Sequence, residues 1–225
     1  MAYLRFFTSG ESHGRALTGI LEGIPAGFPV TSEDIDRELR RRQGGHGRGG
    51  RMKIESDHAE ILSGVRWGHT LGSPISILIE NKDWKNWHQG MSVDAAYDGS
   101  LNPVTRPRPG HADLAGVLKY NHKDIRNILE RSSARETAVR VALGAIAKEI
   151  LSEFDIRIGS YVIQIGTVCA KQSKSESMKS AKELWDIFES AENSVVRCAD
   201  SEISKKMVRL IDRAAKEGNS LGGIF

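Results

Sequence analysis

Cysteine is scarce. Cys169 and Cys198 are the only two in 225 residues, 29 positions apart, with no CxxC or Cys/His spacing. That excludes a disulfide-stapled secreted module and argues against a thiolate zinc site, so no metal is expected and a reducing cytoplasm fits best. Long apolar runs are missing too. The stretch from Met1 to His13 has no apolar core of a secretory leader. The longest clearly apolar run, Ile75 to Ile79 with Ser76 inside it, falls far short of the ~20 residues a membrane span needs. The expected protein is soluble, untargeted and free of membrane partners. Charge of one sign is also lacking: the net charge is only +3, too little for a chain that coats nucleic acid over its whole surface. The length allows one large domain or two small ones, with room for a real core; no internal repeat and no tract long enough for a linker is present, and residues 1–225 are taken as a single domain.

What is present is uneven. Gly44, Gly45, Gly47, Gly49 and Gly50 fall within seven residues. From Arg37 to Lys53 there are seven cations and one anion, a local +6 that leaves the remainder of the chain net negative. Arginines at a helix end and in the loop after it, spaced by glycines that let backbone amides approach, suit a small ligand bearing several carboxylates or phosphates. The plainer reading makes Arg37, Arg40 and Arg41 a solvated helix face near a C-terminal dipole. A third reading, a non-catalytic anion- or RNA-binding module, has only a single RGG-like unit and no interleaved aromatics for base stacking.

The apolar pattern predicts strands over Ala2–Thr8, Ala16–Glu22, Ala59–Val65, Ile75–Glu80 and Ile156–Gly166, each rich in β-branched or aromatic residues. Thr31 with Asp34 makes a capping box for a helix carrying Ile35 and Leu39 and ending at Gly44-Gly45. Ala138, Ala142, Ile146 and Ile150 predict a long helix from near Arg135 to Phe154. Asp200 or Ser201 caps another with the stripe Ile203, Met207, Leu210 and Ala214, stopped at Gly218. Lys171–Lys182 reads as a polar loop and a helix start. Strands first and helices later point to an α+β fold.

Two of the seven histidines have suggestive neighbours. His13 sits in Gly10-Glu11-Ser12-His13-Gly14 between two predicted strands, and His111 follows Arg-Pro-Arg-Pro-Gly with Asp113 two residues on. An imidazole titrating near neutrality is a natural proton donor to a leaving phosphate or a developing anion. Ser12 lacks the GxSxG spacing of a nucleophile elbow and is set aside. Ser132-Ser133-Ala134-Arg135 opens the long helix, where free N–H groups and small residues form an anion site or an ordinary cap.

Four blocks carry a resemblance: GESHGRALTGILEGIPAG (Gly10–Gly27), RRRQGGHGRGGRMKIESD (Arg40–Asp57), RPGHAD (Arg108–Asp113) and ERSSARETA (Glu130–Ala138). In this order, with similar sequence between them, they resemble chorismate synthase over essentially the whole chain. The resemblance implies a β-α-β sandwich of antiparallel sheets around central helices, assembled as a homotetramer. It implies a lyase that eliminates phosphate from 5-enolpyruvylshikimate 3-phosphate with reduced FMN, and NADPH as a candidate reductant of that flavin.

Carried over by position, His13 and His111 are implied as catalytic. Arg42, Arg48, Arg51 and Arg135 are implied to bind substrate, and Arg42, Arg48, Arg108, His111, Ser133, Ala134 and Arg135 to contact cofactors. Members of the family continue through further flavin contacts to an Arg-His-Asp motif with no counterpart here. The chain is therefore read as the N-terminal portion of such an enzyme, expected to lack part of the flavin site.

Overall fold

The computed structural model describes residues 3–48, 56–170 and 180–225. The chain divides into two compact units, one of Met1–Arg42 with Lys53–Asp155, the other of Gln43–Met52 with Ile156–Phe225.

The first unit is built on antiparallel pairing. Strands β1 (Arg5–Ser9), β2 (Ala16–Glu22), β4 (Glu60–Ser63) and β7 (Ile75–Glu80) form a sheet in the order β1-β2-β7-β4. A second sheet, β3-β6-β5, joins Ala26–Pro29, His69–Leu71 and Val65–Arg66. The register sets Leu17 against Ile79, Gly19 against Ile77 and Leu21 against Ile75, so one face of β2 and β7 is apolar throughout. Helix α5 (Thr137–Ser152) lies on that face with Ala138, Val139, Ala142, Leu143 and Ile146 buried. Gly19 permits the approach, since a Cβ there would come within 2.7 Å of Val139. Helix α1 (Ser32–Gln43) adds Ile35 and Leu39 to the same core. The predicted Thr31/Asp34 box is present, with Asp34 N donating to Thr31 Oγ1 and Thr31 N to an Asp34 carboxylate oxygen. Those Thr31 bonds hold the Asp34 carboxyl below its ordinary range. Three further helices, α2 (Trp84–Trp87), α3 (Asp113–Tyr120) and α4 (Arg126–Arg131), carry much of the polar chemistry, and a 3-10 turn over Ala134–Glu136 leads into α5.

The second unit has a small sheet, β10-β8-β9, of Gly223–Ile224, Gln164–Ile165 and Val168–Cys169. Helices α6 (Ala181–Glu192) and α7 (Ser201–Lys216) complete it, around Val196, Cys198 and Met207. Asp200 caps α7 as the sequence predicts, accepting from the amides of Glu202 and Ile203.

Two expectations differ from the observed elements. The strand foreseen over Ala59–Val65 is broken at Gly64, whose φ of +81° turns the chain from the first sheet of its unit into the second. Within the predicted strand Ile156–Gly166, the observed strand is confined to Gln164–Ile165, with Ile163 N donating to the Ile224 carbonyl beside it. Ile156 and Ile158 remain exposed, and no strand among the described residues pairs with them. Of Lys171–Lys182, residues 171–179 lie outside the described residues. Ser180 then caps α6 in a full capping box with Glu183.

Candidate functional site

The arginine-rich window separates into different environments. Arg37 pairs with Asp34 and Glu149, and Arg40 with Glu33, all on the solvent side of α1. Arg42 turns inward. Its Nε and Nη2 donate to Thr137 Oγ1 and its Nη2 also to the Ala134 carbonyl, while Nη1 lies 3.4 Å from Asp57. Arg48 belongs to the second unit and is exposed, and Arg51 lies outside the described residues.

Asp57 also takes Arg135, whose Nη1 donates to it at 2.5 Å. Arg135 is almost fully buried, and its other bonds run to Asn81 Oδ1 and the Glu80 carbonyl. Such a guanidinium is stable inside only because acceptors surround it. Asn81 extends the network by donating through Nδ2 to the carbonyls of Glu11 and Gly14, the loop that carries His13. Arg42, Arg135 and the His13 loop are thus joined by one continuous set of hydrogen bonds. Ser133 caps the turn before α5 by accepting from Arg135 N, and Ala134 contributes the carbonyl that holds Arg42.

His13 is gripped from two sides. Glu130, 5% exposed, accepts the backbone N–H of His13 at 2.8 Å and receives Nδ1 at 2.9 Å from both carboxylate oxygens. Trp87 stacks on the ring with centroids 4.2 Å apart. His111 sits in a separate turn at the start of α3. Its Nδ1 is 2.8 Å from Asp113, a fully buried carboxylate that also takes the backbone N, Nε and Nη2 of Arg108. Arg108 Nη2 further lies 3.1 and 3.2 Å from the two imidazole nitrogens. The Asp113 carboxyl is drawn down to about 2, chiefly by the Arg108 side-chain hydrogen bonds, against the opposing pull of burial.

A cavity of about 490 Å³ is lined from α3 and α4 by Gly116, Lys119, His122, Asn127, Arg131 and the adjoining Ser132. Arg131 reaches back to Thr8 through Nη2, whereas its Nη1 is buried without a hydrogen-bond partner, 3.8 Å from Glu136.

Sequence reasoning did not single out Asp57, Asn81, Glu130 or Trp87. The acids carry no mark of burial in the sequence, because only the tertiary fold encloses them. Asn81 did leave a trace, standing directly after the apolar run of β7 where a loop begins.

The family model described as chorismate synthase matches residues 4–225. The chain is 55% identical over 226 residues to the chorismate synthase of Aquifex aeolicus, covering 100% of this chain and 57% of that relative. With the Bacillus subtilis chorismate synthase the identity is 52% over 225 residues, 98% of this chain and 56% of the relative. A crystal structure of chorismate synthase is similar with a TM-score of 0.78 and 46% identity, over 98% of this chain and 56% of that one. The chain therefore spans somewhat more than half the length of the curated relatives it matches.

Proposed function

Because the chain belongs to the chorismate synthase family, we propose that it carries the anion-binding arginines and the two proton-handling histidines of a carbon–oxygen lyase of the shikimate pathway, which supplies aromatic amino acids. The substrate is 5-enolpyruvylshikimate 3-phosphate. In an anti-1,4-elimination the C3–O bond breaks, the C6 hydrogen leaves, and chorismate and phosphate result without net oxidation or reduction.

The observation that carries this reading is the continuous network Arg42–Asp57–Arg135–Asn81–His13 loop. It places two guanidiniums and an imidazole on one rigid scaffold before any ligand arrives. The substrate brings a phosphate and two carboxylates, the anions that arginine forks match. Arg42, Arg48, Arg51 and Arg135 orient them. Asp57 holds Arg135 and Arg42 in place, so little side-chain entropy remains to be lost on binding. His13 holds a proton, and His111, pinned by Asp113, stands at the departing phosphate.

The donor set fits a flavin phosphate or other anionic cofactor. Arg131, Lys119 and Ser132 line the cavity of α3 and α4, which ends one residue before the turn of Ser133, Ala134 and Arg135 and so offers cations and a hydroxyl to an anion. The three residues of that turn, with Arg108 and His111, would hold FMN, and Arg42 and Arg48 would serve NADPH. Reduced FMN, when bound, supplies transient electron density to C–O cleavage and recovers it. The working enzyme is read as a cytoplasmic homotetramer; no helix among the described residues is long and apolar enough to cross a membrane. The RNA-binding alternative gains no support from the family assignment.

Titration calorimetry of 5-enolpyruvylshikimate 3-phosphate into the 225-residue chain tests the reading. Binding by the parent, weakened by ~1.5–3 kcal/mol in Arg48→Ala at unchanged melting temperature, is the expected result. No binding of this acid by the folded parent would overturn it.

A further inference from the structure

We propose that Glu130 is a positioning residue for His13, fixing its proton on Nδ1 and leaving Nε2 as the nitrogen that exchanges a proton with bound reactants. The inference deepens the reading of His13 as the proton-carrying histidine and rests on it.

A carboxylate can only accept, so the 2.9 Å approach of His13 Nδ1 to both Glu130 oxygens requires the hydrogen to be on Nδ1. Imidazole free in water prefers the other tautomer, with its proton on Nε2, so the protein must impose this one. Glu130 also takes the backbone N–H of His13, which ties the ring to its own main chain through a single acid. The ring cannot flip without giving up its Nδ1 bonds, and the nearly complete burial of Glu130 makes their loss costly. Ser12 N donates to the Glu130 carbonyl at 2.9 Å, anchoring the loop to the same residue through its backbone.

The second face of the grip comes from the same helix. Arg126 and Glu130 are four residues apart on α4, hence on one side of it. Arg126 lies 5.5 Å from the centroid of Trp87, and Trp87 stacks on His13. Helix α4 thus backs both the acid that holds the ring edge and the indole that holds the ring plane. Nε2 is left with Asp83 at 3.8 Å, beyond hydrogen-bonding distance, while the imidazole keeps a quarter of its surface open. The arrangement gives one nitrogen to the scaffold and the other to chemistry, as orienting acids do for catalytic and metal-bound histidines.

Long-range proton–nitrogen correlation spectra of the chain labelled with ¹⁵N-histidine read the tautomer directly, without flavin or substrate. They are recorded near pH 9, above the ordinary histidine range, and His13 is assigned by the signals lost in His13→Asn. The parent should show the Nδ1–H pattern at His13. Glu130→Gln, whose amide oxygen still accepts, should largely retain it, and Glu130→Ala should shift the ratio toward Nε2–H by roughly tenfold or more.

An Nε2–H pattern in the parent overturns the proposal even if Glu130→Ala does not fold. So does a folded Glu130→Ala with the parent's pattern. If the tautomer responds as expected but His13→Asn leaves phosphate elimination unchanged in a flavin-loaded assay of a full-length chain, the functional reading of His13 fails while the geometry stands. The two failures are therefore separable.

Discussion

The two histidine regions use the same device, a buried carboxylate on Nδ1, with different partners. At Asp113 the carboxylate is shared: Arg108 supplies three of its hydrogen bonds and His111 one. At Glu130 the side chain serves a single residue, taking both the ring and the backbone of His13. The cation next to Asp113 offsets most of the cost of burying its charge, so His111 is an addition to a pair that is already complete. Among the described residues Glu130 has no comparable arginine partner, so its burial depends on the histidine it orients. The first arrangement tolerates loss of the imidazole, whereas the second couples the imidazole to stability.

The buried cluster of Asp57, Arg135 and Arg42 gives the largest expected effect. Asp57→Ala would leave Arg135 and Arg42, with side chains 5% and 12% exposed, without the carboxylate between them. Breaking a buried ion pair by removing one partner costs ~3–5 kcal/mol. Urea unfolding followed by circular dichroism should show it, and a loss below 1 kcal/mol would mean that the network relaxes to solvent. His13→Ala comes next. Glu130 keeps the backbone N–H of residue 13 but loses its ring donor, so a cost of ~1–3 kcal/mol is expected in the same measurement. A negligible cost would erase the distinction between the two histidine regions.

The strands β2 and β7 and the helices α1, α5 and α7 were legible in the sequence, whereas the short helices α2, α3 and α4, which carry Trp87, Asp113 and Glu130, were not foreseen. Ala16–Glu22 and Ile75–Glu80 are observed with the bounds their patterns predict, because alternation with one buried face leaves little freedom in register. The Thr31/Asp34 box and the Asp200 cap fixed the starts of α1 and α7 for local reasons alone. Ile156–Gly166 misled because its isoleucines have the pattern of a buried strand, whereas Ile156 and Ile158 are exposed and pair with no strand among the described residues. The site was legible only on one side. His13, His111, Arg42 and Arg135 stand out by residue type and spacing, but the acids that hold them do not. Asp57 and Glu130 are distant in sequence from the arginine and histidine they serve, by 78 and 117 positions. Nothing local separates a buried acid from a solvated one.

Acid sharpens the comparison from the other side. The Asp113 carboxyl is held at about 2 in the folded chain, below the 3.8 of an ordinary aspartate, so it binds protons less readily folded than unfolded. The stability this contributes is complete above pH ~4 and is lost as pH falls toward ~2. Asp113→Asn removes the titration. Its cost at neutral pH should be about 1–2 kcal/mol, toward the low side for charged hydrogen bonds because Arg108 remains half exposed and can turn to water. The gap between parent and Asp113→Asn should narrow between pH 4 and pH 2. A gap independent of pH would show that packing, not charge, is what Asp113 supplies.

The smallest expected change in stability belongs to His111→Ala. Removing the imidazole takes one hydrogen bond from Asp113 and leaves all three from Arg108, and the ring is about a third exposed, so the cost should stay within ~0.5 kcal/mol. Function is where this variant should differ from the parent. If His111 assists the leaving phosphate, losing it removes general acid help typically worth roughly 10²–10⁴-fold in rate. In a flavin-loaded assay of a full-length chain single-turnover phosphate release should therefore slow by that order, while the melting curve scarcely moves. His13→Ala should lose both rate and stability, because its carboxylate has no arginine to fall back on. Equal melting losses in the two variants would break the comparison at its root, and an unchanged single-turnover rate in His111→Ala would leave Arg108 and Asp113 as a structural pair with His111 merely resting on it.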